Sequence, residues 1–115
     1  MIKTKCVREP ASPDDGLRVL VTNGWPRGVA RHHVDVWWPQ LGPSAELLAD
    51  WRRGIITWEE YEERYEAEMC SLPARILREG ISREDGRVVI TLLCVEKEDD
   101  PHCHRHILKA MIEGG

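Results

Sequence analysis

The sequence contains no phenylalanine, and most of its aromatic bulk comes from five tryptophans. No apolar run approaches the roughly 20 residues that a membrane-spanning helix needs, which argues against an integral membrane protein. The basic N-terminus, residues 1–5, lacks the apolar stretch of a secretory signal peptide. We therefore expect a cytoplasmic protein whose four cysteines are free thiols rather than a disulfide framework.

The chain also lacks the basic excess of a general nucleic-acid coat protein, because its formal net charge is -4. A local basic cleft that binds nucleic acid stays possible. With 115 residues, of which 42% are hydrophobic, the composition is typical of a globular domain. No repeat or linker divides the sequence, so we expect one domain over residues 1–115.

Three apolar segments predict the strands of a central sheet, at Ile2–Val7, Leu17–Val21 and Val88–Cys94. Segments with helical spacing lie between the second and the third, and another follows the third. This order predicts a compact α/β fold with a central, partly parallel sheet flanked by helices. Because Val88–Cys94 is almost wholly apolar, we expect it to be buried inside the sheet.

Capping residues and apolar spacing predict four helices. Their predicted bounds are Ser44 to Gly54, Thr57 to Cys70, Pro73 to Arg78, and Pro101 to Ile112. The second begins with a capping box, in which Thr57 is followed three residues later by Glu60. Residues 29–40 follow no clean period, so we expect them to be irregular.

The most informative segment joins the last predicted strand to the last predicted helix. It carries Cys94 and Glu96 at the strand end, and then Cys103, His104 and Arg105 near the helix start. Open α/β sheets bind their ligands at the carboxyl ends of their strands. The segment therefore predicts a functional site that combines thiols, an imidazole, a guanidinium and a carboxylate.

Cys103 is the candidate nucleophile. If Asp100 caps the last helix and Pro101 is its first residue, Cys103 occupies the third helical position. The helix N-terminus and nearby cations favour a thiolate, so we expect the pKa of Cys103 to lie below the usual value of about 8.5. The alternative is a small buried cysteine without a chemical role. Cys94, at the end of an apolar strand, is expected to be such a core thiol.

Other side chains are candidates to assist the nucleophile. His104 and Glu96 are the candidates for catalytic proton transfer, with Glu96 acting through a histidine. Anchoring of Arg27 or Arg105 is the other role open to Glu96. Arg27 and Arg105 are the candidates for binding an anionic ligand, together with Trp25 in the turn after the second strand. The alternatives are that Glu96 only begins an acidic loop and that Trp25 belongs to a structural turn.

We assign no metal ligands from the sequence, because it contains neither a paired C-x-x-C nor H-E-x-x-H. His102 and His106 are four residues apart and share a face of the predicted helix, and Cys94 or Cys103 would supply sulfur. This leaves a weaker metal-binding alternative. The sequence names no cofactor.

The chain resembles the domain of unknown function 488 family, including its short YeaO-like branch. The resemblance rests on motifs that span most of the sequence: G-x-R-V-L-V-T-N-G-W-P-R-G at Gly16–Gly28, W-x-x-x-L-x-P-S at Trp37–Ser44, W-E-E-Y-E-E-R-Y-E-A-E at Trp58–Glu68, and T-L-L-C-V-E followed by C-H-R-H. The resemblance implies a compact α/β domain and no established activity.

Two features depart from the YeaO-like branch. That branch usually has an Asp-Arg pair where Thr22 and Asn23 stand, so one charged pair is lost here. It also often lacks the second cysteine motif, whereas Cys103 with its following His-Arg pair resembles the broader family.

Several functions fit these residues. The first is a small enzyme that uses Cys103 on an anionic substrate, and the second is a module that binds a small anion or a nucleic-acid ligand without catalysis. A metal-binding protein is a further alternative, as is alkylation repair, because Cys-His-Arg resembles the acceptor motif of alkylguanine-DNA alkyltransferases. In that motif proline precedes the cysteine, whereas His102 stands here. We expect no membrane partner, and the sequence does not indicate the oligomeric state.

Overall fold

A computed structural model of the chain describes residues 1–97 and 99–114. Within these ranges the protein is an α/β structure with strands and helices in the order β1, β2, β3, α1, α2, α3, β4, α4. The strands are β1 (Ile2–Cys6), β2 (Leu17–Leu20), β3 (Val36–Trp37) and β4 (Ile90–Cys94). The helices are α1 (Ala45–Arg52), α2 (Trp58–Glu68), α3 (Leu72–Glu84) and α4 (His104–Gly114).

The sheet has the strand order β1-β4-β2-β3, and every pairing between these strands is parallel. β4 lies between β1 and β2, with Cys94 opposite Cys6 and Leu93 opposite Leu20. All five residues of β4 are buried, which confirms the predicted interior strand from Ile90 to Cys94. The predicted first residue, Val88, is instead 47% exposed, because it belongs to the turn after α3, where its N–H donates to the carbonyl of Glu84. The carboxyl ends of these strands therefore meet at one edge of the sheet, where α/β proteins bind ligands.

The two faces of β4 pack into different hydrophobic cores, because successive side chains of a strand point to opposite faces. Leu92 belongs to the larger core, which contains Tyr65 of α2 and Leu108 of α4. Leu93 belongs to a smaller core that is covered by Trp25 and other residues of the β2–α1 connection. Cys94 follows the parity of Leu92, so its side chain points toward the helices.

The predicted N-terminal caps of α1 and α2 are confirmed. The Ser44 hydroxyl accepts a hydrogen bond of 3.1 Å from the N–H of Leu47. At α2, the Thr57 hydroxyl accepts from the N–H of Glu60, and the Glu60 carboxylate accepts from the N–H of Thr57. Capping depends on residues three positions apart, so the sequence alone was sufficient to predict it.

Two predicted regions differ from the structure. The connection at residues 29–40 was expected to be irregular, but Val36 and Trp37 pair with β2 as the short strand β3. A two-residue strand is too short to show a period, so only the pairing reveals it. α3 continues to Glu84 instead of ending at Arg78, because Ile81 is buried against the core and offsets the low helix propensity of Gly80.

The start of α4 is the difference that matters for function. The helix begins at His104, not at Pro101. The Asp100 carboxylate accepts a hydrogen bond from the N–H of His102, which forms a local turn before the helix. Cys103 therefore directly precedes the helix and does not occupy its third position.

A buried carboxylate, Asp15, connects the β1–β2 loop to the sheet. Its side chain is 1% exposed, forms ion pairs with Arg18 and Lys5, and accepts a hydrogen bond from the N–H of Ser12. Its carbonyl accepts a further bond of 2.6 Å from the Thr91 hydroxyl of β4.

None of the helices in the described ranges is long and apolar enough to cross a membrane.

Candidate functional site

Two thiols, a carboxyl group and an imidazole meet beyond the carboxyl end of β4. Cys94 Sγ lies 2.7 Å from Glu96 Oε2, and Cys103 Sγ lies 3.3 Å from the same oxygen. His104 Nδ1 lies 3.7 Å from Cys94 Sγ and 3.8 Å from Cys103 Sγ. We call these four residues the thiol cluster. The structure thus brings the predicted Cys103, His104 and Glu96 together, and it adds Cys94, which was expected to be an inert core thiol.

The orientation of His104 is set by its second ring nitrogen. Nε2 lies 2.5 Å from the carbonyl oxygen of Val21, directly after β2. Because a carbonyl only accepts hydrogen bonds, Nε2 carries a proton. Nδ1 therefore faces the two sulfurs, as a lone pair when the ring is neutral and as a donor when it is charged. The ring of Tyr65 packs edge-on against the imidazole, at 5.4 Å between centroids.

The pKa values of the two thiols in the cluster shift in opposite directions. A hydrogen bond with Cys103 lowers the pKa of Cys94 well below its usual range; burial raises that pKa, and His104 lowers it further. The same contact raises the pKa of Cys103, which burial and the charge of Cys94 raise further. The expected low pKa of Cys103 is therefore contradicted. Cys103 is 2% exposed and adjoins Cys94 and Glu96, whose negative charges raise its pKa.

The pKa values of the two other members of the thiol cluster, Glu96 and His104, are also shifted. Burial raises the pKa of Glu96, and the negative charge of Cys94 raises it further. Burial lowers the pKa of His104, but the charge of Cys94 and the hydrogen bonds of the ring outweigh burial and give a raised value. The arrangement therefore places a thiol of lowered pKa beside a carboxyl group and an imidazole whose pKa values are raised.

A cavity of about 230 Å³ opens onto the cluster. Cys94, Glu96 and His104 line it, whereas Cys103 is not among the described residues that do so. The loop after β2 forms a second wall with residues 22–25, and α1 forms a third with Leu48 and Arg52. Cys94 is thus the thiol that faces the cavity.

Three arginine side chains, those of Arg27, Arg52 and Arg105, differ in whether they reach the cavity. Arg27 is exposed and does not belong to the described lining of the cavity. Arg105 is fully buried, and its guanidinium donates to the carbonyls of Glu96 at 2.8 Å and Lys97 at 2.6 Å. The predicted cleft with Arg27 and Arg105 is therefore not what the structure forms. Arg52, in the last turn of α1, lines the cavity instead, and no local pattern in the sequence identifies it.

Trp25 lies where the sequence predicted a ligand contact, in the cavity wall. Its indole N–H donates to the carbonyl of Val29 at 2.9 Å, and its ring meets Trp37 edge-on at 5.5 Å. The guanidinium of Arg31 lies 4.2 Å from the centre of the Trp25 ring. These contacts fix the ring as a rigid wall.

His102 and His106, the weaker metal-binding alternative, each contact other parts of the chain. The His102 ring is exposed and packs against Trp58 at 4.7 Å and Trp51 at 5.5 Å. The Nε2 atom of His106 lies 3.0 Å from the carbonyl of Asp100. Both imidazoles thus contact residues outside the thiol cluster.

A family model described as the active DUF488-N3 subclade matches residues 2–114. The chain belongs to the DUF488-N3a family. This match contains every residue of the thiol cluster and of the cavity wall, and it confirms the family indicated by the sequence motifs.

Three relatives of this DUF488-N3a protein carry names that describe them as uncharacterized. Protein YeaO of Escherichia coli (strain K12) is 34% identical over 71 residues, which cover 60% of this chain and 62% of YeaO. Proteins Mb3100c of Mycobacterium bovis and Rv3073c of Mycobacterium tuberculosis are each 29% identical over 115 residues, covering 98% of this chain and 94% of theirs. No solved structure matches.

Gly42→Ala should disturb the cavity wall of this DUF488-N3a protein. A β-carbon at Gly42 would lie 2.4 Å from the backbone nitrogen of Asn23 and 2.7 Å from the carbonyl carbon of Thr22. Because backbone atoms must then move, we expect a loss of about 1–3 kcal/mol in the free energy of unfolding, measured by urea titration. Gly24→Ala is the control, since that β-carbon meets nothing within 4 Å. Equal losses in the two variants would contradict the steric explanation.

Proposed function

We propose that this protein is a small enzyme that attacks an anionic small molecule with the Cys94 sulfur, assisted by Glu96 and His104. One observation carries the proposal: a sulfur in contact with a carboxyl group and an imidazole lines a cavity of about 230 Å³. Nucleophilic cysteines are activated by neighbours placed in this way. The description of the matching family model as an active subclade supports a site that performs chemistry.

The proposed reaction assigns each member of the cluster a step. The Cys94 sulfur forms a bond to an electrophilic carbon of the substrate, and the leaving group departs with the electron pair of the broken bond. Glu96 or His104 donates a proton to that leaving group. Before the attack, the Cys103 S–H donates a hydrogen bond to the Cys94 thiolate. Water then attacks the same carbon: its oxygen forms a bond to that carbon, the Cys94 sulfur departs as a thiolate with the electron pair of the sulfur–carbon bond, and a proton of the water returns to the Glu96 or His104 group that donated one.

Substrate binding is assigned to the walls of the cavity. Arg52 supplies the cation for an anionic group, and Trp25 supplies a flat apolar surface. The proposed nucleophile is therefore Cys94 and not Cys103, the candidate from the sequence. The proposed anion-binding cation is Arg52 and not Arg27 or Arg105, because Arg52 is the one of these three that lines the cavity.

The test compares alkylation by iodoacetate, an anion, with alkylation by iodoacetamide, its neutral analogue, in protein stripped of metal by a chelator. Mass spectrometry of the cysteine peptides gives a rate for each thiol. We expect Cys94 to react before Cys103, and we expect the ratio of iodoacetate to iodoacetamide rates to be higher at Cys94 than at the exposed Cys70. A nearby cation worth about 1 kcal/mol raises that ratio about fivefold.

Two arginine variants provide the matched comparison. Arg52→Gln should lower the rate ratio at Cys94 to that of Cys70, whereas Arg53→Gln, its exposed neighbour, should leave it unchanged. Modification of Cys103 ahead of Cys94 would overturn the assignment of the nucleophile. If Cys94 stays unmodified in the folded protein while iodoacetate or acetate binds, the protein is an anion-binding module and not a thiol enzyme.

A further inference from the structure

We propose that Cys94, Cys103 and His104 form a binding site for a thiophilic divalent cation, with zinc as the preferred ion. The inference goes beyond the proposed enzyme, because a bound metal would occupy the same Cys94 sulfur that the reaction uses. It rests on donor spacing, donor orientation and donor chemistry.

The spacing of the donor atoms matches a tetrahedral centre. The two sulfurs and His104 Nδ1 all lie within 4.8 Å of one another, and the sulfur–nitrogen distances are 3.7 Å and 3.8 Å. With zinc–sulfur bonds of about 2.3 Å and zinc–nitrogen bonds of about 2.0 Å, a ligating sulfur and nitrogen lie about 3.5 Å apart. Both sulfur–nitrogen distances are therefore within a few tenths of an ångström of the spacing around a bound zinc ion.

The orientation of His104 is that of a ligating histidine. Its Nε2–H donates to the carbonyl of Val21, which directs Nδ1 toward the two sulfurs. Metal-binding histidines usually donate their other ring N–H to a carboxylate or a backbone carbonyl, and this contact fixes the tautomer that ligates. The imidazole is also 4% exposed and packs against the ring of Tyr65, which holds it in this orientation.

The donor set selects the kind of cation. Two sulfurs and one imidazole nitrogen favour zinc or another soft ion over magnesium and calcium, which prefer oxygen ligands. Glu96 Oε2, which lies 2.7 Å and 3.3 Å from the two sulfurs, is positioned either as a fourth ligand or as a base for a metal-bound water. Arg105 supports this arrangement, since it binds the carbonyls of Glu96 and Lys97.

Metal binding and thiol chemistry would exclude each other at Cys94. Both sulfurs ligate as thiolates, so any proton that they carry passes to the solvent when the ion binds. The metal-loaded protein would therefore resist alkylation at Cys94 and Cys103. Removal of the ion would restore the reactive thiol that the proposed enzyme needs.

The direct test is titration of the chelator-treated, reduced protein with cobalt(II), which replaces zinc and is coloured. We expect saturation at one ion per chain, with the visible bands of a tetrahedral centre and the near-ultraviolet band of sulfur-to-cobalt charge transfer. Zinc should displace the cobalt and remove both signals. Cys94→Ser and Cys103→Ser should each weaken the charge-transfer band, and His104→Gln should weaken binding by roughly 100-fold or more.

Matched controls use cysteine and histidine residues outside the site. Cys70→Ser and His102→Gln change exposed side chains and should leave the cobalt spectrum and stoichiometry unchanged. An unsaturable titration at micromolar cobalt, or a charge-transfer band that survives replacement of both Cys94 and Cys103, would overturn the site.

A measurement on the unmodified chain covers the case in which a variant does not fold. Zinc should protect Cys94 and Cys103 from iodoacetamide while Cys70 stays reactive, and a chelator should remove the protection. Protection of neither thiol would overturn the metal site. The two proposals can be tested independently. A Cys94 that reacts in a protein that does not bind zinc would support the enzyme and overturn the metal site. Zinc binding by a protein whose metal-free Cys94 does not react would support the metal site and overturn the enzyme.

Discussion

Asp15→Asn should lower the free energy of unfolding at neutral pH by about 3–5 kcal/mol, the cost of removing one partner from a buried ion pair. The Asp15 carboxylate is 1% exposed and accepts hydrogen bonds from Lys5, Ser12 and Arg18. Arg18 is itself 6% exposed, so the neutral variant leaves a buried cation without its carboxylate. Urea unfolding followed by tryptophan fluorescence measures the loss. Asp14→Asn, one residue earlier and exposed, should change stability by less than about 0.5 kcal/mol.

The effect of Asp15→Asn should also depend on pH. Burial raises the pKa of Asp15, but the hydrogen bonds of Ser12, Lys5 and Arg18 outweigh burial and hold the pKa below 3.8. A carboxyl whose folded pKa lies below its unfolded pKa stabilises the protein fully above the unfolded value, and this stabilisation is lost as the pH falls toward the folded value.

The stability difference between wild type and Asp15→Asn should therefore be constant above about pH 5 and begin to shrink near pH 4, the unfolded pKa being about 3.9. Parallel urea titrations across this range measure the difference. A difference that grows as the pH falls would contradict the direction of the Asp15 pKa.

Arg105→Leu should lower the free energy of unfolding by about 3 kcal/mol, since hydrogen bonds to charged groups contribute about 1.5–3 kcal/mol each. The change removes the donors to the carbonyls of Glu96 and Lys97. Arg27→Ala is the comparison at an exposed site, with an expected change below about 0.5 kcal/mol. Thermal unfolding in the presence of a chelator measures both variants without a contribution from bound metal.

The same two variants also test whether Arg105 affects the reactivity of Cys94. Because Arg105 positions the chain that carries Glu96, its loss should also alter the alkylation rate of Cys94, whereas Arg27→Ala should not. Similar losses of stability in both variants would contradict the positions that the structure gives these two arginines.

Much of the fold could be predicted because its signals are local. The apolar run that ends at Cys94 identified the interior strand, and the caps at Ser44 and Thr57 identified two helix starts. The prediction failed where a long-range contact overrides the local signal. Val36 and Trp37 form a strand only because β2 is beside them, and α3 extends past Gly80 because Ile81 reaches the core.

The site could be predicted as a location but not as a chemical state. The sequence places the thiols, Glu96 and His104 in one segment, and the carboxyl end of β4 brings them together as expected. Asp100 forms a turn with His102, so α4 starts at His104 and Cys103 loses the helical position on which its low pKa was predicted. No local pattern distinguishes these two uses of an Asp-Pro pair.

The sequence by itself therefore determined the α/β class, the interior strand, the helix caps and the segment that carries the reactive groups, because each depends on residues that are neighbours along the chain. Only the tertiary structure decided that the pKa of Cys94 is lowered while that of Cys103 is raised, that Arg52 rather than Arg27 reaches the cavity, and that His104 presents Nδ1 to two sulfurs. Those properties depend on burial and on contacts between β2, α1, β4 and α4. Distances between separate elements are set by packing and are not written in the spacing of residues.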